Sequence, residues 1–233
     1  MAISRALMTR VAAGELPDTL RISRPAASVA FGKRDVIGTG YPAAAAAARA
    51  EGYEAVERVA GGRASVFHDQ TLHFGHSVHQ ADPRTEVTRR FEQTAALAAR
   101  ALRGLGIDAH VGEVEGEYCP GEHSVNARHE AKLVGLGQRV IQHGAHVGGV
   151  VVVDGADRVR GVLTPVYEAL DLDWRPETTG SLADEDGAVT WERARMAIEA
   201  EYSSAYDLEP ATLDDDTLAL AERLAPEHTS SGG

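Results

Sequence analysis

The stretch that decides the fold is 131-AKLVGLGQRVIQHGAHVGGVVVVD-154. Two apolar runs, 131–142 and 145–154, flank His143-Gly144, and both carry the β-branched residues that suit a pleated surface. They predict a β-hairpin across the centre of a sheet. Such a hairpin excludes a purely parallel sheet.

Upstream, Phe91, Ala95, Ala98, Leu102 and Leu105 recur at 3.6 spacing and predict a helix from Thr88 to Leu105, with Gly106 as its stop. A first helix is expected over 3–13. Another follows Pro42 through the alanine run to Gly52. Short apolar runs at 20–23, 28–32, 53–59, 72–80 and 107–111 read as strands. From about 156 the chain turns polar, with helices expected at 191–206 and 212–224. The fold class is therefore α+β (mixed α/β), a large mixed, partly antiparallel sheet with packed helices. One domain is expected over 1–225, with a flexible tail at 226–233.

The chain has 233 residues and a net charge of −12, and its 23 cationic side chains include only two lysines. No basic face for a phosphate backbone is visible, so a duplex nucleic-acid partner is not expected. No apolar run reaches the roughly 18–20 residues of a membrane span, and the N-terminus lacks a secretory core. A cytoplasmic, monomeric protein is the expectation. One cysteine, Cys119, excludes an internal disulfide and leaves a buried small hydrophobe or a reactive thiol. Lys132 lies close to it in sequence, which alone decides nothing.

Two motifs are set aside. VIGTGYPA (36–43) matches G-x-G-x-x-A, but its leading strand is short and charged and no further βαβ units follow, so it reads as a turn before a helix. His73, His76 and His79 have metal-like spacing on a helix, but on a strand His76 faces away from the other two. No metal site is expected, and the three read as solvent-facing or hydrogen-bonded histidines. ERVAGGRASVFHD (57–69) says more. Bare N–H groups at Gly61-Gly62 between Arg58 and Arg63 suit a carboxylate, a phosphate or a thioester carbonyl, or equally form a plain glycine turn.

R-x-x-G-G-R-A with V-F-H-D, together with GELPDTLRI, FGKRD and AKLVGLGQRVIQHGAHV, resembles the lipoate-protein ligase and octanoyltransferase family, over roughly residues 10–170. The resemblance implies a biotin/lipoate protein ligase catalytic-domain-like fold. It also implies that Lys132 matches the family's active-site lysine and that Gly61 and Gly62 match the loop over the acyl group. His68, Gly135, Gln138, His143 and Gly144 match further pocket positions, with Arg58 and Arg63 beside the loop. Cys119 in Tyr-Cys-Pro-Gly looks like the nucleophile of the cysteine-dependent branch. The activity so implied is transfer of an octanoyl or lipoyl group, through a Cys119 thioester, to the lysine of a lipoyl-accepting domain. The donor would be an acyl carrier protein or a lipoylated protein, and no cofactor is required.

In that scheme Lys132 favours the thiolate, and Lys132 with the Gly61-Gly62 N–H groups holds the oxyanion. Val134, Leu136 and Val150 would line the acyl tunnel. The alternatives are an ATP-dependent lipoate-protein ligase using ATP and Mg, and a non-catalytic lipoyl-binding or partner subunit. Arg63 in place of a third loop glycine, and Ser124 where relatives often place an aspartate, are departures from the pattern.

Overall fold

The computed structural model describes residues 1–229. The first half of the chain forms α1 (Ala2–Ala12), β1 (Thr19–Ser23), β2 (Ser28–Phe31), α2 (Lys33–Val36), α3 (Tyr41–Ala50), β3 (Glu54–Glu57), β4 (Ser65–Phe67), β5 (Thr71–His79) and α4 (Val87–Gly104). Then come β6 (Ala109–Val111), β7 (Val125–Ala127), β8 (Ala131–Ile141), β9 (Gly144–Val152), α5 (Ala156–Ala169), α6 (Leu182–Glu185), α7 (Trp191–Ala205) and α8 (Asp215–Leu224).

The predicted hairpin is β8–β9, turning at His143, where φ is 59°. Every residue of β9 is buried, and β5 pairs along its other edge, which makes it a central strand. The six-stranded sheet runs β1-β5-β9-β8-β7-β6 and is antiparallel at every pairing. Parallel pairing is found between β2 and β3, in a second sheet ordered β3-β2-β4.

Side chains of directly paired residues share a face, which sorts the large sheet into two unlike surfaces. Leu72, Phe74, Val134 and Val151 face α4 and α7, meeting Leu97, Leu102, Ile198 and Tyr202. Burying each such side chain contributes about 1.5–3 kcal/mol, so this face anchors the fold. The other face is nearly bare at its centre. Gly75, Gly148 and Gly137 form one cross-strand row. Helix α1 covers one end, so closely that a Cβ on Gly144 would meet that of Ala12 at 2.6 Å. The small sheet, with α3 and α5, has its own core of Val29, Phe31, Leu163 and Tyr167.

Two parts of the chain differ from expectation. Residues 156–169, read as the start of a polar tail, form α5, whose Val159, Val162, Leu163 and Val166 are buried at helical spacing. Gly161 and Pro165 hide that periodicity, and packing outweighs the helix hydrogen bond that Pro165 removes. Of the tail at 226–233, residues up to 229 pack on the small sheet. His228 Nδ1 lies 2.9 Å from Glu57 O, and Thr229 bridges Val56. Residues 230–233 lie outside the described residues.

Candidate active site

The site begins with the loop from Arg58 to Ala64 that joins β3 to β4. Gly62 has φ 120°, a conformation open to glycine. Its carbonyl comes so near Gly32 that a Cβ there would sit 1.8 Å from the oxygen. The loop is pinned by Asp35 on α2, whose side chain is fully buried. One carboxylate oxygen accepts the Gly32 N–H (3.0 Å) and the other pairs with the Arg63 guanidinium (2.8 Å). Gly61 N–H reaches the backbone carbonyl of Gln138 on β8 at 3.4 Å.

Cys119 approaches this loop from the β6–β7 connection. It is partly exposed and held at φ 44°, a strained conformation for a residue with a Cβ. Three anchors over-determine that geometry. The Cys119 N–H donates to Tyr167 Oη (2.7 Å), whose own hydrogen goes to Ala64 O (3.0 Å). Burial holds the Tyr167 phenol well above its ordinary pKa, so it stays a donor. Lys132 Nζ donates to the carbonyls of Tyr118 (2.9 Å) and Cys119 (2.8 Å), and to Glu117 Oε1 (2.7 Å).

Those three bonds use all three ammonium hydrogens. Lys132 therefore holds the cysteine loop by its backbone, and its ammonium hydrogens go to that loop and to Glu117 rather than to the thiol. A shift of register between β7 and β8 brings it there. Val125 pairs with Val134 and Asn126 with Lys132, so Leu133 is the extra residue of a bulge. Glu117, its buried partner, was missed in the sequence. It also accepts Ser124 Oγ (2.6 Å), Gly121 N (3.2 Å) and Val114 N (3.0 Å). Ser124, at the position that departs from the family pattern, thus supports a carboxylate supplied from elsewhere.

The thiol faces the glycine loop. Sγ accepts the Arg63 backbone N–H at 3.1 Å and lies 3.5 Å from Arg58 Nη1, which also donates to Arg63 O. Burial pushes the Cys119 thiol up. The charge of Arg58, then that of Lys132, and the hydrogen bonds from Arg63 N and Arg58 outweigh it, so the thiol ionises below its ordinary value.

Arg58 also borders a narrow, half-open cleft over the glycine row. Val59, Phe67, Gly135, Val150 and two histidines, His73 and His146, share its lining. Of the three residues expected to line a tunnel, Val150 does. Val134 and Leu136 turn to the opposite face and pack with α4 and α7. Gln138 is on that opposite face too, tied to Arg90 Nε (2.5 Å) and Val87 O (3.0 Å). His143 is in the hairpin turn, and Gly144 packs on α1. His68 is fully buried beside Gly155 at the start of α5, outside the cavity lining. His76, expected to be hydrogen-bonded or solvent-facing, is buried edge-on to Tyr202 and Tyr206, because α7 and the residue after it cover that face of β5. Among the described residues no group of three or more His, Cys, Asp or Glu could hold a metal ion. No helix among them is long and apolar enough to cross a membrane.

Residues 1–171 match the lipoyl protein ligase A/B catalytic domain. The chain is 29% identical to the octanoyltransferase LipM of Kyrpidia tusciae, an alignment covering 98% of this chain and 90% of that protein. It is 27% identical to the octanoyl-[GcvH]:protein N-octanoyltransferase of Bacillus velezensis, over 58% of this chain and 50% of that one. Among solved structures, a lipoate-protein ligase A bound with ATP superposes with a TM-score of 0.73 at 18% identity, covering 97% of this chain and 88% of that one. The bi-partite lipoate protein ligase of Thermoplasma acidophilum gives 0.73 at 19%, over 97% and 86%. At such identities the two structures speak for the fold.

Proposed function

The chain belongs to the lipoyl protein ligase A/B catalytic domain family, and from that premise we propose that it is an acyltransferase. It moves an octanoyl or lipoyl group to the lysine of a lipoyl-accepting domain through a thioester on Cys119. The observation that carries this reading is the Cys119 Sγ seated between the Arg63 N–H and the Arg58 guanidinium. A thiol on a strained turn, facing a cation and a bare backbone N–H, is placed for nucleophilic chemistry. Two curated relatives named as octanoyltransferases favour transfer over ATP-driven ligation.

In the first half-reaction the thiolate attacks the donor carbonyl. A C–S bond forms, charge develops on oxygen, and collapse expels the donor's leaving group with a proton from solvent. The Arg63 N–H and Arg58, which stabilise the thiolate, are the donors beside Sγ that an oxyanion forming there would meet. In the second, the neutral amine of the acceptor lysine attacks the thioester. A C–N bond forms, Cys119 departs, and the amine proton passes to the thiolate or to solvent. The lowered thiol pKa serves both steps, because a stable thiolate forms readily and leaves readily. Neither step consumes ATP.

Intact-mass measurement after incubation with an octanoyl thioester tests this. A hydroxylamine-labile adduct is expected on the native chain and none on Cys119→Ala. Acyl transfer to a lipoyl domain at the native rate by the alanine variant would overturn the thiol route. ATP-pyrophosphate exchange with free lipoate would establish the ligase reading instead.

A further inference from the structure

The cavity beside Arg58 has an unexpected end. Its glycine row crosses three strands, with Gly137 paired to Gly148 and Gly148 to Gly75. With adjacent strands about 4.8 Å apart, the row runs about 10 Å across the sheet. At the Gly137 end the space is closed by Arg58, whose Nη2 lies 2.8 Å from where a Cβ would stand; the same guanidinium reaches Cys119 through Nη1. At the Gly75 end two imidazoles close it. A Cβ on Gly75 would meet His146 Cε1 at 2.5 Å and Nε2 at 2.8 Å, with His73 Cε1 at 3.5 Å. Glycine at 75 is what lets both rings lie there.

These rings are polar and held in place. His146 Nδ1 is 2.9 Å from Ser77 Oγ, and His73 Nδ1 is 3.5 Å from Ser23 Oγ. Burial keeps both neutral, with pKa values lowered to about 3 for His73 and about 4 for His146. An extended chain advances about 1.1–1.2 Å per bond, so the seven C–C bonds of an eight-carbon acyl group span about 8 Å, within the length of the row. A plain methyl end would press a hydrocarbon against the nitrogen edge of His146 and strip that edge of water. A heteroatom would pair with it.

We propose that His73 and His146 form a polar stop for the distal end of the acyl chain, and that this chain prefers acyl groups bearing an oxygen or sulfur function at that end over unsubstituted octanoyl. The inference rests on the acyl-transfer reading only in placing an acyl group in the cavity. A hydroxyl, which both donates and accepts, matches either tautomer of His146.

The test is equilibrium binding of octanoate, 8-hydroxyoctanoate and lipoate to the Cys119→Ala protein, so a failed thiol mechanism leaves the measurement intact. About a five- to tenfold tighter Kd is expected for 8-hydroxyoctanoate than for octanoate, with lipoate between them because sulfur is a weak acceptor. In His146→Leu the order of the first two should invert, and in His73→Leu the preference should shrink. His146→Gln, which keeps a polar end, should retain part of it and guards against loss by misfolding. Equal affinities in the parent protein, a preference that survives His146→Leu, or no binding of any of the three acids would overturn the proposal.

Discussion

Replacing Glu117 by Gln removes one charge from the ion pair under the cysteine loop while keeping the side chain's shape. Glu117 and Lys132 have side-chain exposures of 0% and 1%, and their contact is 2.7 Å. The glutamine would leave the Lys132 ammonium in a dry site with no counter-charge, facing only neutral carbonyl oxygens. It would also direct an amide N–H₂ at one of the donors that the carboxylate now accepts. Breaking a buried pair by neutralising one partner costs about 3–5 kcal/mol. At about 2–4 °C per kcal/mol for a chain of this size, the melting temperature should fall by about 6–20 °C. Thermal and urea unfolding of the variant measure this directly. Glu117→Leu combined with Lys132→Met should recover much of the loss, because the uncompensated charge goes with its partner. Were Glu117→Gln within about 1 kcal/mol of the parent while acyl loading collapsed, Lys132 would be serving the reacting carbonyl rather than the loop, and the anchoring argument would fall.

The same geometry yields two further outcomes. Arg58→Met takes away the cation 3.5 Å from Sγ and so disfavours the thiolate; the pH profile of Cys119 alkylation by iodoacetamide should move to higher pH, with a slower rate at pH 7, and an unmoved profile would refute the assignment. Gly148→Ala would bring a Cβ to 2.3 Å from Phe74 O and 2.7 Å from Gly75 Cα, both backbone, so overpacking should cost about 1–3 kcal/mol in urea unfolding, against no change if the sheet were loose there.

The central hairpin and the long helix were readable because their signals are local. β8–β9 is two apolar runs around one turn, and α4 repeats its buried positions every turn. Helix α5 was not, since Gly161 and Pro165 argue against a helix while the residues that secure it, Phe31 and Ala48 among them, come from distant parts of the chain. The face that a strand residue takes was only half readable. Period-two alternation puts Val134 and Leu136 together, yet which face stays open depends on Gly75, Gly148 and Gly137 aligning across three strands, and register is a tertiary fact.

The two cations of the site show the same limit from the side of chemistry. Lys132 is 13 residues from Cys119 and Arg58 is 61, and the scheme drawn from the family resemblance assigns to lysine the role of favouring the thiolate. The fold gives the direct contact with Sγ to the arginine and leaves Lys132 to act on the thiol by charge alone. An ammonium offers three donors that radiate from one point, which suits the carbonyls of Tyr118 and Cys119 and the Glu117 carboxylate converging on it. A guanidinium is flat and carries donors on separate nitrogens, so Arg58 can bind Arg63 O and Sγ through Nη1 while its other end borders the glycine row. Exchanging Lys132 for Arg would therefore crowd a pocket built for a point charge. Exchanging Arg58 for Lys would keep the charge and lose the planar reach from Cys119 to the cavity.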